Sequence, residues 1–269
     1  MSNDFKFNQE ELRQKYNPDG SVLRKAQLRM TEMLTFIDKV CRDNNLKYWL
    51  DSGTLLGARR HGGFIPWDDD TDICMTWKDA EKFKQIMLHN NPSEEFVLQC
   101  RETDCGFFGC WYVLRDLKTE YIQDREDHKK KKFRGLQVDI VPVEEKSFAL
   151  LFRIASLIQN NLINRPLECI KSSQIAKVIA LPSYYILRIL IPLFRAVSPK
   201  RNFIRMCYGV KWRSKQIENT FPIDKTIKFE NVELMCPQNV DGYLTDQYGN
   251  WQVLPEKIKT HNVTVVFYE

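Results

Sequence analysis

Residues 48–77 read YWLDSGTLLGARRHGGFIPWDDDTDICMTW. Tyr48 to Asp51 form a short apolar run ending in Ser52-Gly53-Thr54, which predicts a strand giving way to a small-residue turn. Such a turn lets backbone N–H groups and a hydroxyl come close to a phosphate. Leu55 to Arg60 then predict one or two turns of helix, and Ile73, Cys74 and Met75 a buried strand. If 68–75 is extended, Asp68, Asp70 and Asp72 share one face, because side chains alternate along a strand. Carboxylates that close repel one another unless a cation lies among them, and hard oxygen ligands suit Mg²⁺ or Mn²⁺. A solvated acidic turn has the same letters, but here Ile65, Trp67, Ile73 and Met75 hem the acids in. With the Gly-Thr turn upstream, the pattern predicts a metal-dependent phosphate-transfer site.

A second carboxylate signal lies in GLQVDIVP, residues 135–142, where Asp139 stands between Val138 and Ile140 in a predicted buried strand. A lone carboxylate there is costly unless it is paired, bound to a metal, or satisfied by backbone donors.

The segment YWLDSGTLLGARRHGGFIPWDDDTDI resembles the signature of the LicD family, which includes the fukutin-related transferases, a branch of the nucleotidyltransferase superfamily. FPIDKTIKFENVELMCPQNVDGYLTDQYGNW, near the C-terminus, resembles the closing pattern of the same family. The resemblance implies an α/β fold, a nucleotidyltransferase-like mixed sheet flanked by helices, with one family domain over 1–269. It implies that Asp70 and Asp72 hold Mg²⁺ (or Mn²⁺) on a donor pyrophosphate, with Asp68 as a further ligand or a neighbour of the ligands. Asp139 matches the family's third carboxylate. Gly53 and Thr54 would cradle a phosphate, and Arg60 would balance phosphate charge. His61 serves either catalysis or the turn, and Trp67 falls among the substrate-binding positions. The implied reaction moves phosphocholine from CDP-choline to a sugar hydroxyl of a cell-surface glycan or its lipid-linked precursor. CDP-ribitol, CDP-glycerol or a sugar nucleotide is the rival donor, and a non-catalytic membrane-bound assembly factor is a rival of another class. The implied last block lies beside the catalytic turn and helps to form the cleft.

The chain has 269 residues, 43% hydrophobic and 12% aromatic, enough for a sizeable core. Its net charge is +5, but residues 147–215 hold twelve Lys/Arg against the single acid Glu168, so the remainder is net acidic. This segment is read as a basic, apolar, helical insert. Within it the uncharged run Val178 to Leu187 is ten residues, short of the roughly 20 that span a bilayer. The expectation is either a subdomain buried on the core or an attachment to anionic headgroups, with Arg188 and Arg195 among the cations involved. Basic residues set among apolar runs do not make the aromatic-lined basic groove of a nucleic-acid enzyme, so no nucleic acid is expected. None of the eight cysteines is spaced CxxC, so zinc is not signalled. The Met-Ser-Asn-Asp-Phe start has no basic-then-apolar leader, and a cytoplasmic protein peripheral at the inner membrane face is expected.

Elsewhere, helices are predicted from a Ser21 cap through Val22 to about Asn44, over 78–90, and near Val240 to Gln247. Strands are predicted over Glu95–Arg101, Gly109–Asp116, Thr226–Phe229 and Val232–Met235, with Thr119–Ile122 pairing with the first two. The loop 124–134, with four lysines, is read as a mobile polar face or a contact for donor phosphates.

Overall fold

The computed structural model describes residues 7–209, 213–258 and 264–268. Helix α1 (Gln9–Tyr16) starts at Asn8, whose side chain accepts from the N–H groups of Glu10 and Glu11. Helix α2 (Val22–Asp43) starts at Ser21, whose hydroxyl accepts from the Arg24 N–H, the predicted cap. Its stripe of Ala26, Met30, Met33, Leu34, Ile37 and Cys41 is buried in the main core. The decisive stretch follows as β1 (Tyr48–Leu50), α3 (Ser52–His61), β2 (Asp72–Thr76) and α4 (Trp77–His89). Next come β3 (Phe96–Gln99), β4 (Tyr112–Asp116), β5 (Thr119–Tyr121), the short α5 (Glu126–Lys129) and β6 (Gln137–Lys146).

The helical layer is α6 (Ala149–Leu157), a π-helical segment Ile158–Asn164, α7 (Arg165–Cys169) and α8 (Ser173–Val197). The chain ends with β7 (Lys200–Met206), β8 (Lys215–Gln216), α9 (Ile217–Thr220), β9 (Lys225–Phe229), β10 (Val232–Cys236), α10 (Val240–Tyr248) and β11 (Val265–Phe267).

The main sheet runs β1-β2-β6-β4-β3, with β7 beside the outer half of β6 and β8 beside β7. β2 and β6 are parallel while the other pairs are antiparallel, a mixed α/β sheet flanked by helices, as expected. The parallel register sets Asp72 opposite Asp139. Two acids separated by 67 positions in sequence thus meet on adjacent central strands.

Three expectations change. Residues 68–71 are irregular, and the strand begins only at Asp72. β5 pairs with β11 at the C-terminus and not with β3 or β4. The helical insert stops at Val197, since 200–206 is a strand on β6 with Ile204 and Met206 buried. β6 is ten residues long, and its outer half extends past β2 and β4, so its backbone groups need another partner. Lys211, counted among the insert's cations, lies outside the described residues.

The helical layer has its own buried cluster, in which Phe152, Ile163, Leu167, Tyr184 and Ile191 pack with Phe108 and Tyr208. By length and composition α8 is apolar enough to cross a membrane, more than its uncharged run of ten suggests. Pro182 and Pro192 lie inside it rather than ending it. Arg188 and Arg195 turn inward: Arg195 pairs with Glu144 of β6 at 2.6 Å and sits 4.5 Å from the Trp77 ring centre, and Arg188 is half-buried near Tyr184, Tyr112 and Glu81. They tether the helix to the sheet rather than meeting a surface.

The two ends of the chain meet at the turn after α3. Glu230, between β9 and β10, accepts from Arg24 at 2.7 and 3.0 Å and from the Phe64 N–H at 3.1 Å. Its own N–H donates to Gly62 O at 2.9 Å.

Candidate active site

Asp51 lies between β1 and α3. Its carboxylate is fully buried, accepts from the hydroxyls of Tyr243 (2.7 Å) and Ser52 (3.1 Å), and pairs with the Lys215 ammonium at 3.2 Å. Burial pushes its pKa up, but Lys215 and these hydrogen bonds outweigh that and hold it below the usual carboxylate range. Ser52 has φ +50°, a left-handed conformation uncommon for a residue with a side chain. At Gly53 a Cβ would come within 2.5 Å of an Asp68 carboxylate oxygen, so only glycine lets Asp68 close over the first turn of α3. The Thr54 hydroxyl accepts from the Asp72 N–H at 2.8 Å, and the Asp51 N–H donates to Asp72 O at 3.0 Å. The observed partners of Gly53 and Thr54 are therefore the acidic residues themselves.

Carboxylate oxygens of Asp68, Asp69 and Asp70 lie within 4.8 Å of one another. Asp69 also accepts from the Tyr121 hydroxyl. Asp72 is pushed well above the usual carboxylate range by burial and then by the charges of Asp70, Asp139, Asp51 and Asp68. Asp139 is pushed up to about 6 by burial and by Asp70, against the opposing pull of Arg115 and a hydrogen bond with the Trp111 side chain. Asp72 and Asp139 still keep some solvent contact, as groups at the edge of a cleft do. Crowded oxygen donors whose ionised forms repel one another suit a hard divalent cation, which would lower each of these values.

Arg60, His61 and Trp67 form a corner away from the acids' cavity. Arg60 donates to Trp251 O at 2.9 Å and to His61 Nε2 at 3.0 Å, and burial lowers its pKa to about 10. His61 accepts at Nε2, so its Nδ1 carries the proton and donates to the Gln9 side-chain oxygen at 2.7 Å. Burial and the adjacent Arg60 lower its pKa to about 3, which keeps the ring neutral. Trp67 meets the edges of Tyr16 and His61, at 5.2 and 6.0 Å between ring centres. This geometry favours the turn role for His61.

A cavity of about 360 Å³ opens beside Asp69, Asp70 and Asp139. Phe107, Trp111 and Tyr121 line one part and Arg125, His128 and Lys131 another. The lysine-rich loop is thus part of the site. Lys131 faces the cavity, paired with Asp127 at 3.3 Å, whereas the buried Lys130 ammonium donates to Leu167 O at 2.9 Å and Glu126 O at 3.0 Å. Arg115, beneath Asp139, is buried and donates to the Gln99 side-chain oxygen and Gly135 O at 2.8 and 2.9 Å. Asp51, Asp69, Arg115, Lys131 and Lys215 were not among the sequence-derived candidates. Asp69 could have been found as the middle acid of its run, whereas Lys215 has no local signal and is placed by a contact 164 residues away. The last block does lie beside the turn: Tyr243 holds Asp51, and Gln247 donates to the Ser52 hydroxyl at 3.3 Å. It lines none of this cavity.

The mixed sheet thus carries a Gly-Thr turn and clustered carboxylates on adjacent strands. Residues 45–155 match the family model described as LicD/FKTN/FKRP, nucleotidyltransferase domain. Among characterised relatives, the chain is 30% identical over 126 residues to the lipopolysaccharide cholinephosphotransferase LicD of Haemophilus influenzae, covering 46% of this chain and 47% of that one. It is 37% identical over 57 residues to human ribitol 5-phosphate transferase FKRP, covering 21% and 12%. An uncharacterized Rickettsia typhi protein is 42% identical over 66 residues, covering 24% and 21%. The matched segments thus span about half or less of the curated relatives' lengths.

Proposed function

We propose that the protein transfers phosphocholine from CDP-choline to a sugar hydroxyl of a cell-surface glycan or its lipid-linked precursor. The observation that carries this reading is the aromatic wall beside the acids. Trp111 lines the same cavity as Asp139 and the Tyr121 hydroxyl donates to Asp69, so two rings stand at the carboxylate rim of one cavity, with Phe107 next to Trp111. Aromatic rings beside carboxylates suit a quaternary ammonium. Of the other aromatics available to such a box, Trp49 is buried against Tyr243, and Tyr112 is turned to Glu81. The relative that transfers cholinephosphate also matches over the longer segment.

In this reading the acceptor oxygen attacks the phosphorus that bears choline. The bond from that phosphorus to the bridging oxygen breaks, and CMP leaves. Asp139, which lines the cavity, takes the hydroxyl proton. Arg125 and Lys131 meet donor phosphates from the cavity wall, while Arg115 supports Asp139 from beneath. Asp70, Asp72 and Asp139 would hold Mg²⁺, with Asp68 and Asp69 beside them, and the ion would neutralise pyrophosphate charge. Asp51 and Lys215 keep the turn in place without touching substrate. Action at the inner face of the cytoplasmic membrane, where a lipid-linked precursor is presented, belongs to this reading.

Phosphoribitol transfer is the second reading, favoured by the match to the ribitol 5-phosphate transferase and by Gln123, Gln137 and Asn164 in the cavity, groups suited to a polyol. The test is CMP release with Mg²⁺ and CDP-choline, CDP-ribitol or CDP-glycerol. CDP-choline should be preferred at least tenfold, and Trp111→Ala should erase that preference. A preference for CDP-ribitol would install the second reading.

A further inference from the structure

The face of α8 turned away from the protein is a continuous aliphatic stripe. Ile175, Val178, Ile186, Ile189, Leu193 and Val197 recur at helical spacing and are 53–73% exposed. On α6, Leu150, Ile154 and Leu157 are exposed as well. The opposite faces of both helices pack into one buried cluster, so each stripe faces away from it. An exposed patch of this extent on a folded chain marks a contact surface.

We infer that this face docks flat on an anionic lipid bilayer, α6 and α8 lying in the headgroup plane with their aliphatic stripes immersed. The charge around it selects lipid over protein. Arg153, Arg165, Lys171, Lys200 and Arg201 are exposed around the stripes, against Glu168 as the only acid in 147–215. Aliphatic residues rimmed by cations match an acyl boundary beneath anionic headgroups. Protein interfaces are instead enriched in aromatic residues and Arg at their centres.

Although α8 is long enough to span a membrane, its inner face holds it down. Ala176, Ala180, Tyr184, Leu187 and Ile191 are buried in the protein, and Arg195 is paired with Glu144 at 2.6 Å. Standing the helix upright would expose that face and break the pair, so it lies in the plane. The same layer walls the cavity through Asn164, Leu167 and Glu168. Docking therefore sets the cavity beside the headgroups, where an acceptor carried on a lipid is within reach. The inference sharpens the location part of the proposed function and is independent of which donor is used.

The test is flotation of the full chain with vesicles of neutral phosphatidylcholine or with added phosphatidylglycerol, at low and high salt. Flotation should rise several-fold with phosphatidylglycerol and fall only partly at high salt. Val178→Asp with Ile189→Asp should cut it at least tenfold with an unchanged melting temperature. Arg153→Glu with Lys171→Glu, which leaves the aliphatic face intact, should lower flotation at low salt and thereby covers the case in which the first variant misfolds. The inference is overturned if the wild type stays unbound on every vesicle or if both variants float like it. It is also overturned if the face pairs two copies, seen as a dimer that Val178→Asp breaks and no vesicle competes for. None of these readouts needs CDP-choline, so the inference and the transfer reading can fail separately.

Discussion

The catalytic sheet and the helical layer break the ordinary rule of burial in opposite directions. Around the acidic turn, charges are driven inside: Asp51 and Lys215 are 0% and 2% exposed, and Arg115 is 2% exposed. On α8, residues that belong inside stand in solvent, with Val178 and Val197 at 70% and 73%. Each departure costs stability, since a buried ion loses hydration and an exposed aliphatic orders water. The sheet meets its cost with partners already in the chain, as Lys215 and Tyr243 do for Asp51. The exposed stripe of the helical layer has no such partner among the described residues. Internal compensation marks machinery, and its absence marks a surface.

The largest expected effect removes an acid from the sheet. Asp70→Asn or Asp72→Asn should cut CMP release by at least about a hundredfold, the scale of losing a group that stabilises developing charge. The apo fold should be unharmed or slightly more stable, because burial and the neighbouring acids disfavour the ionised form of Asp72. Near-normal turnover in either variant would remove the acids from the reaction.

The next effect contrasts one cation from each region. Lys215→Met leaves Asp51 buried without its countercharge and should cost about 3 kcal/mol in urea unfolding. Arg153→Met, on the exposed helical layer, should stay within about 0.5 kcal/mol. Equal costs would erase the distinction drawn between the regions.

A smaller effect lies where the two regions join. Glu144 is buried beside Arg195, and burial raises its pKa to about 7 from an ordinary 4.5 despite that partner. The folded state therefore holds this proton more tightly than the unfolded chain does. Stability from this group is intact below about 4.5 and is lost as pH rises through about 7. Relative to Glu144→Gln, the wild type should lose on the order of 1–2 kcal/mol between pH 5 and pH 8. A constant difference across that range would mean that Arg195 fully compensates the burial. Smallest of all, Ile189→Ser should change stability by less than about 0.5 kcal/mol, whereas the same change in a core isoleucine costs several times more. A large loss would show that the aliphatic face is covered in solution.

The sequence by itself determined what depends on neighbours along the chain. Ser21 announced the start of α2, the three- and four-residue spacing announced its buried stripe, and the Gly-Thr turn and acids announced the chemistry. Asp139 stood out because a lone acid in an apolar strand demands an explanation. Tertiary structure alone decided what depends on residues meeting across the fold. It set Asp72 opposite Asp139 in one register, brought Lys215 to Asp51, and gave β5 the C-terminal strand as partner. It turned Arg60 and His61 to backbone and side-chain partners outside the cavity, and brought Lys131 into it. The same limit explains α8. Periodicity tells which residues share a helix face, and it cannot tell which face meets the protein. Arg188 and Arg195 sit inward and Val178 and Ile189 outward because Glu144 of β6 and Trp77 at the start of α4 lie on one side, whereas among the described residues no apolar partner covers the other.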